Sequence, residues 1–313
     1  MQSTHKFIKV ISNITFAGML MTAACTYANP QPSKPQQVTV IPKTVTPVES
    51  NAVEERADKE QIVPSNFFTI GFYKPNYVMP YYYTGSPYNS VYQNQTPQNE
   101  KLTRDEIKYQ LSLKVPLWKN ILGYPSTLYL AYTQLSYWQA YNKSAFFRET
   151  DYEPELFLAN EINYDVYQYF TVNFINIGAE HQSNGFGNTL ERSWNRAYVE
   201  GIASRGNFMV SVKPWFIFQD QSLRDHNPNI GSYLGYMQVI LAYKYNANVI
   251  NLRTYGLGVH GGRRTSAELS YSFPLTAYIN GYVQVFSGYG QSLIEYNHRT
   301  NSVGVGIALS NWI

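Results

Sequence analysis

The chain carries a histidine, a serine and an asparagine at a spacing suited to acyl transfer. The first two stand in Glu180-His181-Gln182-Ser183-Asn184-Gly185, and Asn195 follows in Arg192-Ser193-Trp194-Asn195-Arg196. A serine hydroxyl is a weak nucleophile until a base takes its proton, and that base needs a third group to fix its tautomer. Asparagine can serve as that third group, as it does beside the cysteine of papain-like proteases. In a lipid-facing place a neutral orienter carries a smaller desolvation cost than a carboxylate would. A histidine two residues from a serine is also common as an ordinary hydrogen-bonded pair at a strand end, so the spacing alone leaves both readings open.

The elements that would position these residues are strands. Over residues 171–183, Thr171, Asn173, Ile175, Ile177, Ala179, His181 and Ser183 share one parity, with Val172, Phe174, Asn176, Gly178, Glu180 and Gln182 on the other. A strand therefore sets His181 and Ser183 side by side on one face. Over 193–203 the alternation resumes, with Asn195, Ala197, Val199, Gly201 and Ala203 together. Pairing the two runs as an antiparallel hairpin returns Asn195 beside His181, at the edge of an apolar band.

The rest of the chain supplies the context. The first 28 residues carry Lys6 and Lys9, an apolar stretch and a small-residue end at Thr26-Tyr27-Ala28, the pattern of a secretory signal. Cys25 is the only cysteine, which rules out an internal disulfide; lipoprotein processing before it is the alternative, with Thr22 where a leucine is usual. Residues 29–63 are rich in Pro, Val, Gln, Lys and Glu without apolar periodicity, and read as an extended periplasmic tether with at most a short helix near 53–59. Residues 64–313 form the third region, rich in the chain's 29 tyrosines. It has no apolar run near the roughly 20 residues that a spanning helix needs.

In place of such runs, that region shows twelve dyad segments separated by polar turns. Ile107, Tyr109, Leu111, Leu113, Val115 and Leu117 oppose Lys108, Gln110, Ser112 and Lys114; Phe208, Val210, Val212, Pro214, Phe216 and Phe218 oppose Ser211, Lys213 and Trp215. Other runs start near Phe67, Thr127, Glu153, Tyr233, Asn248, Thr265, Tyr278 and Ser302. This pattern predicts an all-β fold, a twelve-stranded antiparallel transmembrane β-barrel with apolar residues outward; a soluble sandwich or lipocalin-type barrel is the competing reading. Tyr81, Tyr82, Tyr83, Tyr124, Tyr271, Tyr282 and Tyr289 are candidates for interfacial girdles.

Both chain ends then lie on the periplasmic side and the 184–192 loop is extracellular. Because His181 and Ser183 share parity with Ile175, Ile177 and Ala179, they sit on the barrel exterior, and their substrate is met in the plane of the membrane: a lipid. A passive pore is the alternative from another class, as is a structural barrel. Inward Trp194, Arg196, Tyr198, Lys213 and Trp215 predict a filled lumen and argue against the pore. No nucleic-acid partner is expected.

Taken together, Tyr132-Thr133-Gln134, Phe147-Arg148-Glu149-Thr150-Asp151-Tyr152-Glu153-Pro154, His181-Gln182-Ser183-Asn184-Gly185, Arg192-Ser193-Trp194-Asn195-Arg196 and Lys213-Pro214-Trp215 resemble the outer-membrane phospholipase A family from about Phe67 to the end. The resemblance implies a calcium-dependent, serine-dependent phospholipase A1/A2 and lysophospholipase of the outer membrane, active as a homodimer. It implies His181 as base, Ser183 as nucleophile, Asn195 as orienter and the amide of Gly185 as oxyanion donor. It implies a Ca2+ bound between protomers by the carbonyl of Phe186, the side chain of Glu191 and the carbonyl of Ser144 from the second copy. Glu191 departs from the serine familiar at its position. A second calcium position of the family falls on Asn188 and His226, neither of them acidic. The dimer contact it implies is Leu111, Leu113 and Gln134, where an amide in the lipid band needs a partner that a second copy can supply.

Overall fold

The computed structural model describes residues 52–53, 70–167 and 169–313. The expected signal, most of the expected tether and the strand start expected at Phe67 lie outside the described residues.

An antiparallel sheet closes on itself. Its strands are β1 (Gly71–Phe72), β2 (Asn76–Thr84), β3 (Asp105–Lys119), β4 (Ser126–Trp138), β5 (Phe147–Val166), β6 (Phe170–Ser183), β7 (Ser193–Arg205), β8 (Phe208–Ile217), β9 (Met237–Tyr245), β10 (Asn248–Tyr255), β11 (Ser266–Pro274), β12 (Asn280–Tyr289) and β13 (Arg299–Ser310). β1 is a two-residue piece that pairs with β3 beyond the end of β2, so the barrel wall is the twelve strands β2 to β13. Closure is made by β13 on β2, with Val303 opposite Tyr83, and by β3 pairing both β2 and β4. Among the described residues the barrel wall has no free sheet edge, which is what a strand-built wall requires where no water can satisfy a backbone amide.

The connections are unequal. At one rim they are the short connections after β3, β5, β7, β9 and β11, and at the other the longer loops 85–104, 139–146, 184–192, 218–236, 256–265 and 290–298. At the short-turn rim Asn76 pairs with Ser310, so the first and last barrel strands end together. The Ala52 amide donates to the Gly206 carbonyl there at 3.1 Å, and Val53 is buried against Met209, Ile240 and Ala242.

The dyad reading holds along the wall. On β3, Lys108, Gln110 and Ser112 are buried while Leu111 and Leu117 are exposed; on β8, Ser211, Lys213 and Trp215 are buried and Phe208, Val212 and Phe216 exposed. Tyr81, Tyr124 and Tyr271 take exposed places, but Tyr82 and Tyr282 do not. Both point into the lumen, where Tyr282 stacks on Tyr77 with 4.9 Å between ring centroids and Lys108 lies 4.8 Å from the Tyr82 ring. A tyrosine ring suits a wet boundary and a packed interior alike, and only strand parity separates them. Asn173 also departs from its expected face. It is the extra residue of a bulge against β7, between Val172 opposite Ala203 and Phe174 opposite Ile202, and it is fully buried, accepting from the Ser204 hydroxyl at 2.6 Å. The runs expected from Tyr233 and Tyr278 begin later, at Met237 and Asn280, because Tyr233 belongs to the short helix Gly231–Leu234 and Tyr278 to a turn; the run expected from Glu153 begins earlier, at Phe147.

Paired charges and large side chains cross the lumen, leaving a cavity of about 460 Å³ lined by Tyr73, Lys114, Tyr129, Asn176 and Glu200. Arg148 gives Nε to Glu106 Oε2 at 2.6 Å and Nη2 to Oε1 at 2.8 Å, and its Nη1 lies 3.3 Å from Glu295. Lys213 joins Glu155 at 3.1 Å and Glu180 at 2.8 Å, with its ammonium 3.7 Å from the centre of the Tyr198 ring, and Arg196 stacks on Trp194 while pairing with Glu180 at 2.9 Å. Gly178 makes room for this packing: a Cβ there would stand 2.6 Å from Phe157 and 2.7 Å from the Tyr198 hydroxyl. At the long-loop rim the 290–298 loop folds inward, with Leu293, Ile294 and Glu295 buried and the Ile294 amide donating to Glu149 at 2.9 Å.

Charges taken from water hold only while paired. Arg148→Ala leaves Glu106 and Glu295 facing each other without a cation, and is expected to lower stability by about 3–5 kcal/mol. Urea unfolding in detergent micelles checks this, and an unchanged midpoint would show that these carboxylates are solvated in solution.

Candidate functional site

β6 and β7 form the hairpin that the alternation predicts, with His181 directly opposite Asn195 and Ser183 opposite Ser193. All four share the outward parity of Ile177, which is exposed on the barrel wall. His181 Nδ1 and Asn195 Oδ1 are 2.8 Å apart, so the ring is held through one nitrogen. Inward between them, Gln182 accepts from the Trp194 indole at 2.8 Å, which ties the site's strands to the packed lumen.

The ladder also places the site next to the expected protomer contact. Leu111 pairs with Gln134, Gln134 with Tyr152, and Tyr152 with Ser183, so one row across β3, β4, β5 and β6 joins the apolar patch to the serine. Leu111 and Tyr152 are exposed on that row; Leu113 and Gln134 are half-buried. Gln134 already finds partners inside its own chain, accepting from the Tyr132 hydroxyl at 3.1 Å and donating to Ser136 at 3.2 Å. One N–H and one lone pair of its amide remain for another partner.

The 184–192 loop is cinched by Asn184, which is buried. Its amide nitrogen donates to the Leu190 carbonyl at 2.8 Å, its side-chain oxygen accepts from the amides of Arg192 at 3.0 Å and Phe186 at 3.4 Å, and its backbone N–H reaches the Arg192 carbonyl at 3.1 Å. Gly185 then turns the chain out of the strand at φ +66°, a left-handed backbone where a side chain is strained; a Cβ there would also stand 3.0 Å from the Tyr152 ring. The turn keeps the Gly185 amide two residues from the serine.

Of the expected calcium ligands, Phe186 and Glu191 lie in this loop and Ser144 in the 139–146 loop of the same rim. Glu191 Oε1 accepts from the Ser222 hydroxyl at 3.2 Å and lies 3.4 Å from His226 Nδ1, with the carboxylate about one-third exposed. Glu191 offers a carboxylate at this rim and Phe186 and Ser144 offer main-chain carbonyls, and hard oxygen donors of this kind are what calcium takes, so the residue types fit the ion. The Glu153, Glu155 and Glu180 carboxylates also cluster within 4.8 Å, but in the lumen, where Lys74, Lys213 and Arg196 neutralise them.

Three residues at the site escape the sequence argument: Tyr152, Asn184 as the loop's cinch, and Asp220. Asp220 opens the helix Gln221–His226 as its N-cap, a role its position before Gln-Ser-Leu suggests, and its Oδ2 also accepts from Asn195 Nδ2 at 2.6 Å. Nothing in the sequence ties it to Asn195, because the contact crosses from β7 to the loop after β8.

Comparison with known proteins bears on this geometry. A family model described as phospholipase A1 matches residues 53–309. Phospholipase A1 of Klebsiella pneumoniae is 42% identical over 217 residues, covering 68% of this chain and 73% of that protein. Among solved structures, outer membrane phospholipase A from Escherichia coli superposes with a TM-score of 0.73 at 38% identity, over 80% of this chain and 95% of that one. The Salmonella typhi outer membrane phospholipase, a dimer with bound calcium, superposes with a TM-score of 0.74 at 38% identity, over 82% and 96%.

Asn184→Ala removes the side-chain hydrogen bonds that close the loop while leaving the ladders intact. Trypsin is expected to cut after Arg192 several-fold faster in the variant, with the barrel still resistant; equal cleavage rates would mean that the loop holds itself.

Proposed function

The chain belongs to the phospholipase A1 family, and from that premise we propose that it hydrolyses acyl esters of glycerophospholipids through Ser183, His181 and Asn195. The observation that carries the reading is the 2.8 Å His181–Asn195 pair beside Ser183 on the lipid-facing row of a membrane-type barrel. A soluble esterase would gather such a set in a pocket; here the substrate has to lie against the wall.

The chemistry follows from the geometry. His181 Nε2 takes the Ser183 proton as Oγ attacks the ester carbonyl, and Asn195 accepts from Nδ1–H and so holds the imidazolium that forms. The carbonyl oxygen gains charge in the transition state, and the Gly185 amide donates to it there. His181 returns the proton to the departing glycerol oxygen, leaving an acyl group on Ser183 and a lysophospholipid. Water, deprotonated in turn by His181, then releases the fatty acid. The same steps act on an sn-1 ester, an sn-2 ester or a lysophospholipid, giving phospholipase A1, phospholipase A2 and lysophospholipase activity.

Calcium held by the Phe186 carbonyl, Glu191 and the Ser144 carbonyl of a second copy would add positive charge beside the oxyanion. Glu191 is an anionic ligand, which favours tighter binding than a serine at that place. The row from Leu111 through Gln134 and Tyr152 to Ser183 supports a homodimer contact that borders the site. The unequal rims support an outer-membrane barrel with short turns in the periplasm and the catalytic rim in the outer leaflet. Residues 1–28 serve as secretory signal and residues 29–63 as periplasmic tether, leaving 64–313 as the barrel domain.

Ser183→Ala is expected to abolish fatty-acid release from phospholipid in mixed micelles with excess calcium, while the barrel stays heat-modifiable; a chelator should silence the native protein likewise. Activity in Ser183→Ala equal to the native protein would end the serine reading. Asn195→Ala should lose on the order of tenfold or more, since positioning rather than proton transfer is lost.

If the metal site is shared between two copies, a monomer holds an incomplete set. Specific activity at saturating calcium is then expected to fall on dilution below the dimer dissociation constant, and in Gln134→Ala to fall at a higher protein concentration. Constant specific activity across that range would show that each barrel is a complete enzyme.

A further inference from the structure

We infer that Asp220 is a fourth, positioning member of the site, and that its carboxylate fixes the orientation of the Asn195 amide and thereby the tautomer of His181. The inference rests on the triad reading above and adds to it the group that makes a neutral orienter unambiguous.

An asparagine has an oxygen and an NH2 of nearly equal size, and can present either one to a histidine. If Oδ1 faces the ring, Nδ1 must carry the proton and Nε2 has the lone pair that a serine needs. If NH2 faces the ring, Nδ1 must accept, the proton moves to Nε2, and the base is blocked. In a Ser-His-Asp set the acid cannot make this error, because an ionised carboxylate only accepts. A Ser-His-Asn set needs something else to choose.

Asp220 makes that choice in this chain. Its Oδ2 lies 2.6 Å from Asn195 Nδ2, and a carboxylate has no hydrogen to offer, so the NH2 must face Asp220 and Oδ1 must face His181 Nδ1, 2.8 Å away. The other oxygen, Oδ1, is already engaged, accepting from the Leu223 amide at 2.8 Å as the helix N-cap. The carboxylate is held by its surroundings: the Phe218 amide donates to the Asn195 carbonyl at 3.0 Å, the Ser222 and Ser193 hydroxyls are 2.6 Å apart, and Asn227 accepts from the Ser193 amide at 3.1 Å. The segment carrying Asp220 is thus pinned to the start of β7 on both sides of the helix. A negative charge behind the amide also makes Asn195 Oδ1 a stronger acceptor, which favours the imidazolium formed during attack.

The substitution that separates orientation from helix capping is Asp220→Asn, because asparagine is as good an N-cap as aspartate. The single side-chain oxygen of the variant serves Leu223 and its NH2 meets Asn195, whose amide must then turn and offer NH2 to His181. The expected result is a fall in kcat at least as large as in Asn195→Ala, with KM little changed and thermal stability retained. In the double variant Asn195→Ala/Asp220→Asn the second change should cost nothing further. The exchange Asn195→Asp/Asp220→Asn moves the carboxylate to position 195, where one oxygen accepts from His181 Nδ1–H and the other from the amide introduced at position 220. For that exchange kcat should return to within a few-fold of the native value.

Assays use phospholipid in mixed micelles at saturating calcium, alongside native protein and Ser183→Ala. A kcat for Asp220→Asn within twofold of native, or an exchange variant no better than Asp220→Asn alone, overturns the inference while leaving the serine mechanism standing. An active Ser183→Ala would overturn the mechanism itself.

Discussion

The rest of the structure depends on closure of the sheet. A wall of strands in hydrocarbon must give each backbone amide and carbonyl a partner, and only a ring does so. Once β3 pairs with both β2 and β4, the sheet has an inside and an outside, and the two-residue period of a strand assigns each side chain to one of them. The interior must then hold the polar side chains. Glu106, Arg148, Glu155, Glu180, Lys213 and Glu268 are all buried, an arrangement a soluble domain of this size would avoid, and they persist because each meets an opposite charge.

Parity also explains why the proposed triad sits on the outside. Glu180 and Gln182 face the lumen, where Glu180 pairs with Lys213 and Gln182 accepts from Trp194, and this leaves His181 and Ser183 on the face of Ile177. A lumen crossed by ion pairs and closed at one rim by the 290–298 loop offers an acyl ester no through path, whereas the proposed site lies at the boundary of the lipid-facing band. The neutral Asn195 is compatible with that boundary, and its charged partner Asp220 stands on the loop beyond the last residue of β8, nearer water.

The hairpin that opposes His181 and Asn195 was legible in the sequence because two constraints agree there: strand alternation on residues 171–183 and 193–203, and one register for the pair. The wall was legible for the same reason. Tyr82 and Tyr282 were misplaced because tyrosine suits both faces, and Asn173 because a bulge adds one residue and shifts parity without a mark in the local composition. Asp220 and the inward 290–298 loop were illegible in another way. They stand on loops, which have no period to read, and their partners, Asn195 on β7 and Glu149 on β5, are far along the chain.

Glu149 shows how the two loops depend on each other. It accepts from the Ile294 amide of the inward loop and, at 3.3 and 3.4 Å, from the Asn184 side chain, the residue that closes the loop after the serine. The plug in the lumen and the turn that presents the Gly185 amide thus share one buried carboxylate. Shifting the inward loop would move the group that holds Asn184, and with it the geometry at Ser183, although neither the plug nor Glu149 touches the exterior face. The side chains that cross the lumen therefore have a role besides obstructing a pore: they make a rigid backing for the proposed site on the other side of a wall one strand thick.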